Sequence, residues 1–268
     1  MGAPYCLTPG SGKATIINCI IWDCTTSLEL QDTTYTGDRG SHATVISCNV
    51  KGEKSSASVS ANSTLTWGDG NINANPLFTN NYRLQSGSPS IDAGTNISLI
   101  LTNLQIAITN DCDSNPRPLD GDNDGAAKFD IGAFEFVNPQ ADSNNDGIPD
   151  GWCINYGLNP ISNNTKDEDP DNDGYSNLYE YIADTNPINS TSFFKITDIS
   201  LINDTRIYFM SSSNRNYTLY QRTNFMRLQP DEWLIVPGQY RIRGKGGLDS
   251  LTDTNRNTTI FYKIGVGL

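Results

Sequence analysis

Residues 14–22 read ATIINCIIW, and residues 43–50 read ATVISCNV. The two strings start 29 positions apart and place Ala, Thr, a β-branched residue, Ile and Cys in the same slots. Close self-similarity at such a period marks stacked layers, each burying its apolar face against the next. Turn-forming runs follow both strings, TTYTGDRGS (33–41) and KGEKSSAS (51–58). Each string therefore reads as a β-branched strand between turns. Stacking puts Cys19 above Cys48, either as a ladder of small buried thiols or as a bonded pair. Free cysteine is commonly buried, which favours the ladder. Two layers are too few to bury a core by themselves. The expectation is the last coils of a longer parallel β-helix, its upstream part and secretion signal missing from this chain. The start, MGAPYCLTPGSG, has no apolar signal core.

The chain has 268 residues and a net charge of −12. The length is ample for more than one domain. Charge is unevenly spread. Residues 141–190 hold ten acids against the single base Lys166, whereas residues 191–268 hold ten bases against six acids. An acidic chain argues against nucleic acid and anionic membrane as partners, and no stretch has the length of a membrane span. None of the six cysteines forms a CxxC pair, so a zinc site is not expected. A bond between Cys112 and Cys153 would clamp the end of the repeat region to the acidic segment.

That segment explains its own charge. Residues 169–180 read DPDNDGYSNLYE. Asp169, Asp171 and Asp173 fall at positions 1, 3 and 5 of a calcium loop, with Gly174 at the sharp turn at 6. Tyr175 offers its carbonyl at 7, Asn177 a side chain at 9 and Glu180 a bidentate carboxylate at 12. Calcium is a hard cation that takes six to eight oxygens, which is why such a crowd of acids suits it. Residues 142–153 read DSNNDGIPDGWC. Asp142, Asn144, Asp146, the Ile148 carbonyl and Asp150 fit positions 1, 3, 5, 7 and 9, but Cys153 stands at 12. A third run, DGDNDG (120–125), sets Asp120, Asp122 and Asp124 at alternate positions. Lys128 at position 9 argues there for a solvated turn over a metal loop.

A short helix is expected after each of the two main loops. Trp152 and Tyr156 share a face of one, and Leu178, Tyr181 and Ile182 share a face of the other. Beyond Ser192 the pattern turns strand-like: KITDIS, RIYFMSS, YTLYQRT, EWLIVP, QYRIRGK and TIFYKIGVG read as six short strands of a small antiparallel sandwich.

Residues 71–94 (NINANPLFTNNYRLQSGSPSIDAG) and 115–135 (NPRPLDGDNDGAAKFDIGAFE) resemble the C-terminal end of large bacterial surface proteins built on a right-handed parallel β-helix. The likeness rests on a DPLF-like string at 75–78, an SPxIDAG-like string at 88–94 and a DIGAxE-like string at 130–135. Such ends carry a "choice-of-anchor" type cap. Residues 141–190 resemble the calcium loops of thrombospondin type 3 repeats and related bacterial surface segments, departing from them at Cys153. The last residues, with YTLY (217–220) and FYKIGV (261–266), resemble the terminal module that follows such segments.

Together these readings give a mainly β chain. Its expected parts are the last coils and cap of a parallel β-helix (1–140), a calcium-loop segment with short helices (141–190) and a small antiparallel β-sandwich (191–268). The expected function is a calcium-stabilised, non-catalytic structural or adhesion module at the cell surface or outside the cell. Its partners would be calcium ions and a glycan or another surface protein. His42, the single histidine, falls in a turn with no nucleophile motif beside it. Asp23, Glu29, Asp32, Asp38 and Glu53, with Arg39 and Lys51, are the charged groups available to a polysaccharide lyase or glycosidase, the rival reading, but two layers make a poor groove. A dockerin-like docking module is a third reading, because paired calcium loops serve there too.

Overall fold

The computed structural model describes residues 12–31, 40–97, 108–222, 233–255 and 260–268. The protein is mainly β, with several small sheets and short helices. It divides into two compact units, Met1–Asn163 and Asn164–Leu268. The division falls inside the acidic segment, so the loop at 142–153 belongs to the first unit and the loop at 169–180 to the second. No helix among the described residues is long and apolar enough to cross a membrane.

In the first unit the repeat becomes a register. Strands β1 (Lys13–Ile17), β2 (Ile20–Ile21) and β3 (Glu29–Leu30) form one layer. Strands β4 (His42–Ile46), β5 (Asn49–Val50) and β6 (Ser58–Val59) form the next. All three pairings are parallel, with Lys13 opposite His42, Ile20 opposite Asn49 and Glu29 opposite Ser58, each 29 residues apart. The turns repeat as well. Asn18 and Ser47 are both left-handed (φ 51° and 48°), as are Asp23 and Gly52 (φ 59° and 79°). Asn, Asp and Gly are the residues that enter this region most easily. Ser47 is held there by its N–H to Asp69 O at 3.0 Å. Strand β7 (Thr64–Trp67) adds to β4, His42 facing Thr64, after a shorter circuit of 22 residues. Side chains of alternate positions meet inside: Leu28, Leu30, Ala43, Val45, Cys48, Val50 and Leu65. Their burial drives the layers together. His42 is not in a turn; it is the exposed first residue of β4.

The strings at 88–94, 115–120 and 130–136 fold onto one another around Arg117. Its Nε donates to Glu135 Oε1 at 2.6 Å and a terminal nitrogen donates to Asp130 O at 2.9 Å. Glu135 also accepts the N–H groups of Asp130 (3.0 Å) and Leu119 (3.2 Å). Asp130 accepts those of Asp92 (2.8 Å) and Phe136 (2.5 Å). The Arg117 and Glu135 side chains are only 6% and 1% exposed. A buried charge is tolerable only when paired and hydrogen-bonded, as here. Asn49 ties this network to β5, its amide donating to Ala74 O at 2.8 Å and Ser90 Oγ at 3.0 Å. Helix α1 (Asp150–Asn155) closes the unit, with Trp152 edge-on to Tyr156 at 4.9 Å as the spacing requires. Cys112 is exposed, Cys153 is buried, and both are free thiols, so the expected bond between them is absent.

In the second unit, helix α2 (Asn177–Ala183) follows the acidic loop. Two antiparallel sheets come next. One sets β8 (Ile196–Ser200) and β13 (Gly247–Asp253) on either side of β9 (Thr205–Ser211). The other is built on β10 (Asn216–Arg222), which pairs with β14 (Phe261–Gly267) along one side and with β11 (Leu234–Ile235) and β12 (Ile242–Arg243) on the other. Ile207, Phe209, Tyr217, Leu219, Val236 and Leu251 make one core. The sequence pattern predicts six strands; the described residues form seven, the addition being β13. That strand inverts the usual pattern, since Leu248 faces outward while Asp249, Leu251 and Asp253 are buried. Lys245 Nζ reaches Asp249 at 2.7 Å and the Tyr262 hydroxyl donates to Asp253 at 2.8 Å, satisfying the inward carboxylates.

Candidate metal centre

The loop at 169–174 is shaped by its own aspartates. Asp169 accepts the N–H groups of Asp173 (3.2 Å) and Gly174 (2.9 Å), and Asp173 accepts that of Tyr175 (2.9 Å). Asn172 and Gly174 take left-handed φ values of 60° and 94°, which turn the chain twice within three residues. The result gathers one carboxylate oxygen each from Asp169, Asp171 and Asp173 within 4.8 Å of one another. Helix α2 brings two further groups. Asn177 is fully buried, its amide nitrogen donating to Thr165 O at 2.7 Å. Glu180 is 1% exposed, with Oε1 accepting from the Thr185 hydroxyl at 3.1 Å.

Four oxygens in this constellation are buried and have no hydrogen-bond partner: Asp171 Oδ2, Asp173 Oδ2, Asn177 Oδ1 and Glu180 Oε2. Each lies at a predicted ligand position, respectively 3, 5, 9 and 12 of the loop. An unpaired buried oxygen costs free energy, more so for a carboxylate. Burial pushes the Glu180 carboxyl up to about 7, the Thr185 hydroxyl opposing and the three loop aspartates adding repulsion. Asp171 is raised too, by burial and by its neighbours Asp173 and Asp169. A hard divalent cation would satisfy all four oxygens and reverse both shifts. Tyr175 packs its ring against Phe193 at 5.6 Å, leaving its carbonyl as the position 7 donor.

The loop at 142–148 has the same backbone. Asp142 accepts from Asp146 N (3.1 Å) and Gly147 N (2.8 Å), Asp146 accepts from Ile148 N (2.9 Å), and Asn145 and Gly147 are left-handed at φ 56° and 94°. Its far end differs. Both Asp150 oxygens are engaged by Ser143, through N–H at 2.9 Å and Oγ at 2.5 Å, and burial pushes the carboxyl up to about 6. The Asn144 amide donates to Asp146 at 3.0 Å and to Ser162 O at 2.7 Å. Cys153, at position 12, is buried and its thiol is pushed up to about 12, chiefly by desolvation, with Asp146, Asp150 and Asp142 adding to it. A neutral thiol is no calcium ligand. Asp142 and Asp146 therefore stand in the loop without a third converging carboxylate.

The run at 120–125 repeats the fold a third time. Asp120 accepts from Asp124 N (3.1 Å) and Gly125 N (2.8 Å), and Asn123 and Gly125 are left-handed at φ 63° and 88°. Of the predicted trio, Asp124 turns away to Lys128 Nζ at 2.9 Å. Its place beside Asp120 and Asp122 is taken by Asp92, the three carboxylates lying within 4.8 Å. Asp92 Oδ2 accepts the Asp122 N–H at 2.7 Å, while Oδ1 is buried without a partner. Asp92 stands about 30 residues upstream in the string at 88–94, where no spacing rule connects it to the loop. The signal common to all three loops is local: each contains Asn-Asp-Gly at positions 4 to 6.

Asp23 pairs with Lys51 at 3.5 Å, Glu29 accepts from the Gln31 amide at 2.7 Å, and Asp32 and Asp38 lie outside the described residues. No family model matches the chain, and no curated protein and no solved structure matches it either.

Proposed function

We propose that this chain is a calcium-stabilised structural or adhesion module that works outside the cell or at its surface and catalyses no reaction. The reading rests on one observation above all: four buried oxygens without partners occur at positions 3, 5, 9 and 12 of a single loop. Oxygen-only donors of mixed kind, gathered on a loop with left-handed turns at Asn172 and Gly174, suit calcium. They suit magnesium less, since it demands strict octahedral geometry and keeps its waters. In this reading Asp169, Asp171, Asp173, the Tyr175 carbonyl, Asn177 and Glu180 hold the principal ion. The loop formed by Asp142, Asn144, Asp146 and Ile148 holds a weaker one. The parallel pairings at 29-residue intervals support the companion proposal that residues 1–140 are the last coils and cap of a parallel β-helix.

The role of the ion is to let carboxylates sit together that would otherwise repel, and so to stiffen the segment between the β parts. An extracellular affinity of about 0.1–1 mM suffices for this. The test is isothermal titration of chelator-treated protein with calcium and with magnesium. Calcium binding in or below the millimolar range, lost in Glu180→Gln, is the expected result. No heat with calcium, or equal response to both ions, overturns the reading.

A further inference from the structure

Cys19 and Cys48 stand in register on neighbouring layers. The pairs Ile17–Ile46 and Ile20–Asn49 flank them in the parallel ladders. Each cysteine follows a left-handed residue, Asn18 or Ser47, so the two backbones turn alike just before the thiol. Each thiol donates to the carbonyl two residues back, Ile17 O or Ile46 O, at 3.2 Å. The Cys19 N–H points at Cys48 Sγ from 3.4 Å. Adjacent strands lie about 4.8 Å apart, inside the range of roughly 4.4–6.8 Å that a disulfide spans between Cα atoms.

Both are free thiols in this structure, and we propose that on oxidation Cys19 and Cys48 form a disulfide cross-link between the two layers, with Cys19 the thiol that reacts first and Cys48 the one that resolves. Access sets this order. Cys48 is fully buried, whereas Cys19 is half-buried and lines an open cavity of about 840 Å³ with Ile21, Leu28 and Ile131. The neighbouring Cys48 thiol holds the Cys19 thiol below its ordinary value, while Cys48 itself is pushed up by Cys19 and by burial. Thiolate character at neutral pH is what makes a cysteine nucleophilic.

The oxidant is a small-molecule disulfide such as oxidised glutathione. The Cys19 thiolate attacks one of its sulfurs, forming a mixed disulfide and releasing one glutathione thiolate. That thiolate takes the Cys48 proton. Cys48 sulfur then attacks the Cys19 sulfur, the mixed bond breaks, and the second glutathione leaves. Two protein thiols become one disulfide, and one oxidised glutathione becomes two reduced. No other described cysteine has such a neighbour: the position 29 residues beyond Cys24 is Glu53, Cys112 is exposed and Cys153 is a buried residue of α1. The bond would close a long loop in the unfolded chain and so stabilise the folded one.

The experiment uses the full chain, reduced and then equilibrated with glutathione buffers of rising oxidised share. Thiols are trapped with an alkylating reagent and peptides mapped by mass spectrometry. The expected product is a peptide pair joined through Cys19 and Cys48, with a melting midpoint several degrees above the reduced protein and restored by dithiothreitol. Cys24→Ser should leave the cross-link unchanged, and Cys48→Ser should stop Cys19 at the mixed disulfide. Should Cys48→Ser not fold, the wild-type map decides by itself. Cys19 trapped as a mixed disulfide or a free thiol in the wild type, with Cys48 unmodified, overturns the proposal.

Discussion

Glu180 concentrates the physics of the second loop in one carboxyl. An unfolded glutamate titrates near 4.5, whereas burial raises this one to about 7. In metal-free protein the folded form therefore keeps its proton longer than the unfolded form. The resulting stability is fully present below about 4.5 and is lost as pH rises to about 7, a change on the order of 3 kcal/mol. Asp150 and Asp130, raised to about 6 and about 8, act in the same direction, so the contribution of Glu180 must be read by difference. Urea midpoints in chelator at pH 5 and 7.5 should fall with pH in the wild type. They should fall less in Glu180→Gln, whose neutral amide avoids the cost of ionisation. With calcium present the sign turns, because the ion needs the ionised carboxylate. At 10 mM calcium and an affinity of about 0.1–1 mM, the wild type should gain roughly 1.4–2.7 kcal/mol at pH 7.5, and Glu180→Gln little or nothing. Asp173→Ala should likewise remove more of this gain than Asp146→Ala, since Asp173 carries a partnerless buried oxygen and Asp146 does not. Equal losses in calorimetry would contradict that ranking.

At the scale of elements, α2 is held at its far end by Arg215, whose guanidinium donates to Ile182 O at 2.8 Å and Tyr181 O at 2.6 Å. Both carbonyls lie in the last turn of the helix, where Tyr181 O also accepts the Asp184 N–H at 3.3 Å, and a cation suits the negative end of the helix dipole. The same helix carries Asn177 and Glu180. Arg215→Met should therefore cost about 1.5–3 kcal/mol of stability in chelator. It should also weaken calcium binding several-fold, a coupling that titration of the variant would measure. The helix itself was legible from Leu178, Tyr181 and Ile182. So were the loop geometry and most of the strands, which depend on residues near one another in sequence, and the 29-residue register, which the repeat itself displays. Strand β13 was not, because its inward positions carry Asp249 and Asp253 and only Lys245 and Tyr262, seen in space, make that tolerable. Asp92 escaped for the same reason: it reaches Asp122 across about 30 residues. Asp124 was assigned to the loop by its spacing, and the spacing does not reveal that Lys128 draws it off.

The whole molecule comprises two compact units with separate means of support. The first rests on the layered apolar core and on the buried Arg117–Glu135 pair. The second rests on the Phe209 and Tyr217 core, and its acidic loop carries four unsatisfied oxygens that a cation would have to engage before the loop adds support. Units with their own cores melt as their own transitions when little energy couples them. Differential scanning calorimetry should then resolve two transitions, and calcium should move one of them far more than the other. Glu180→Gln assigns the responsive transition to residues 164–268 by abolishing its shift. Arg117→Met assigns the other. It leaves Glu135 buried without its cation, beside Asp130, which burial and Glu135 already hold up to about 8. Breaking such a pair from one side costs about 3–5 kcal/mol, so the transition of residues 1–163 should drop by many degrees while the calcium-responsive one stays in place. A single transition that both variants lower together would mean that the two units fold as one, and calcium would then stabilise the chain as a whole.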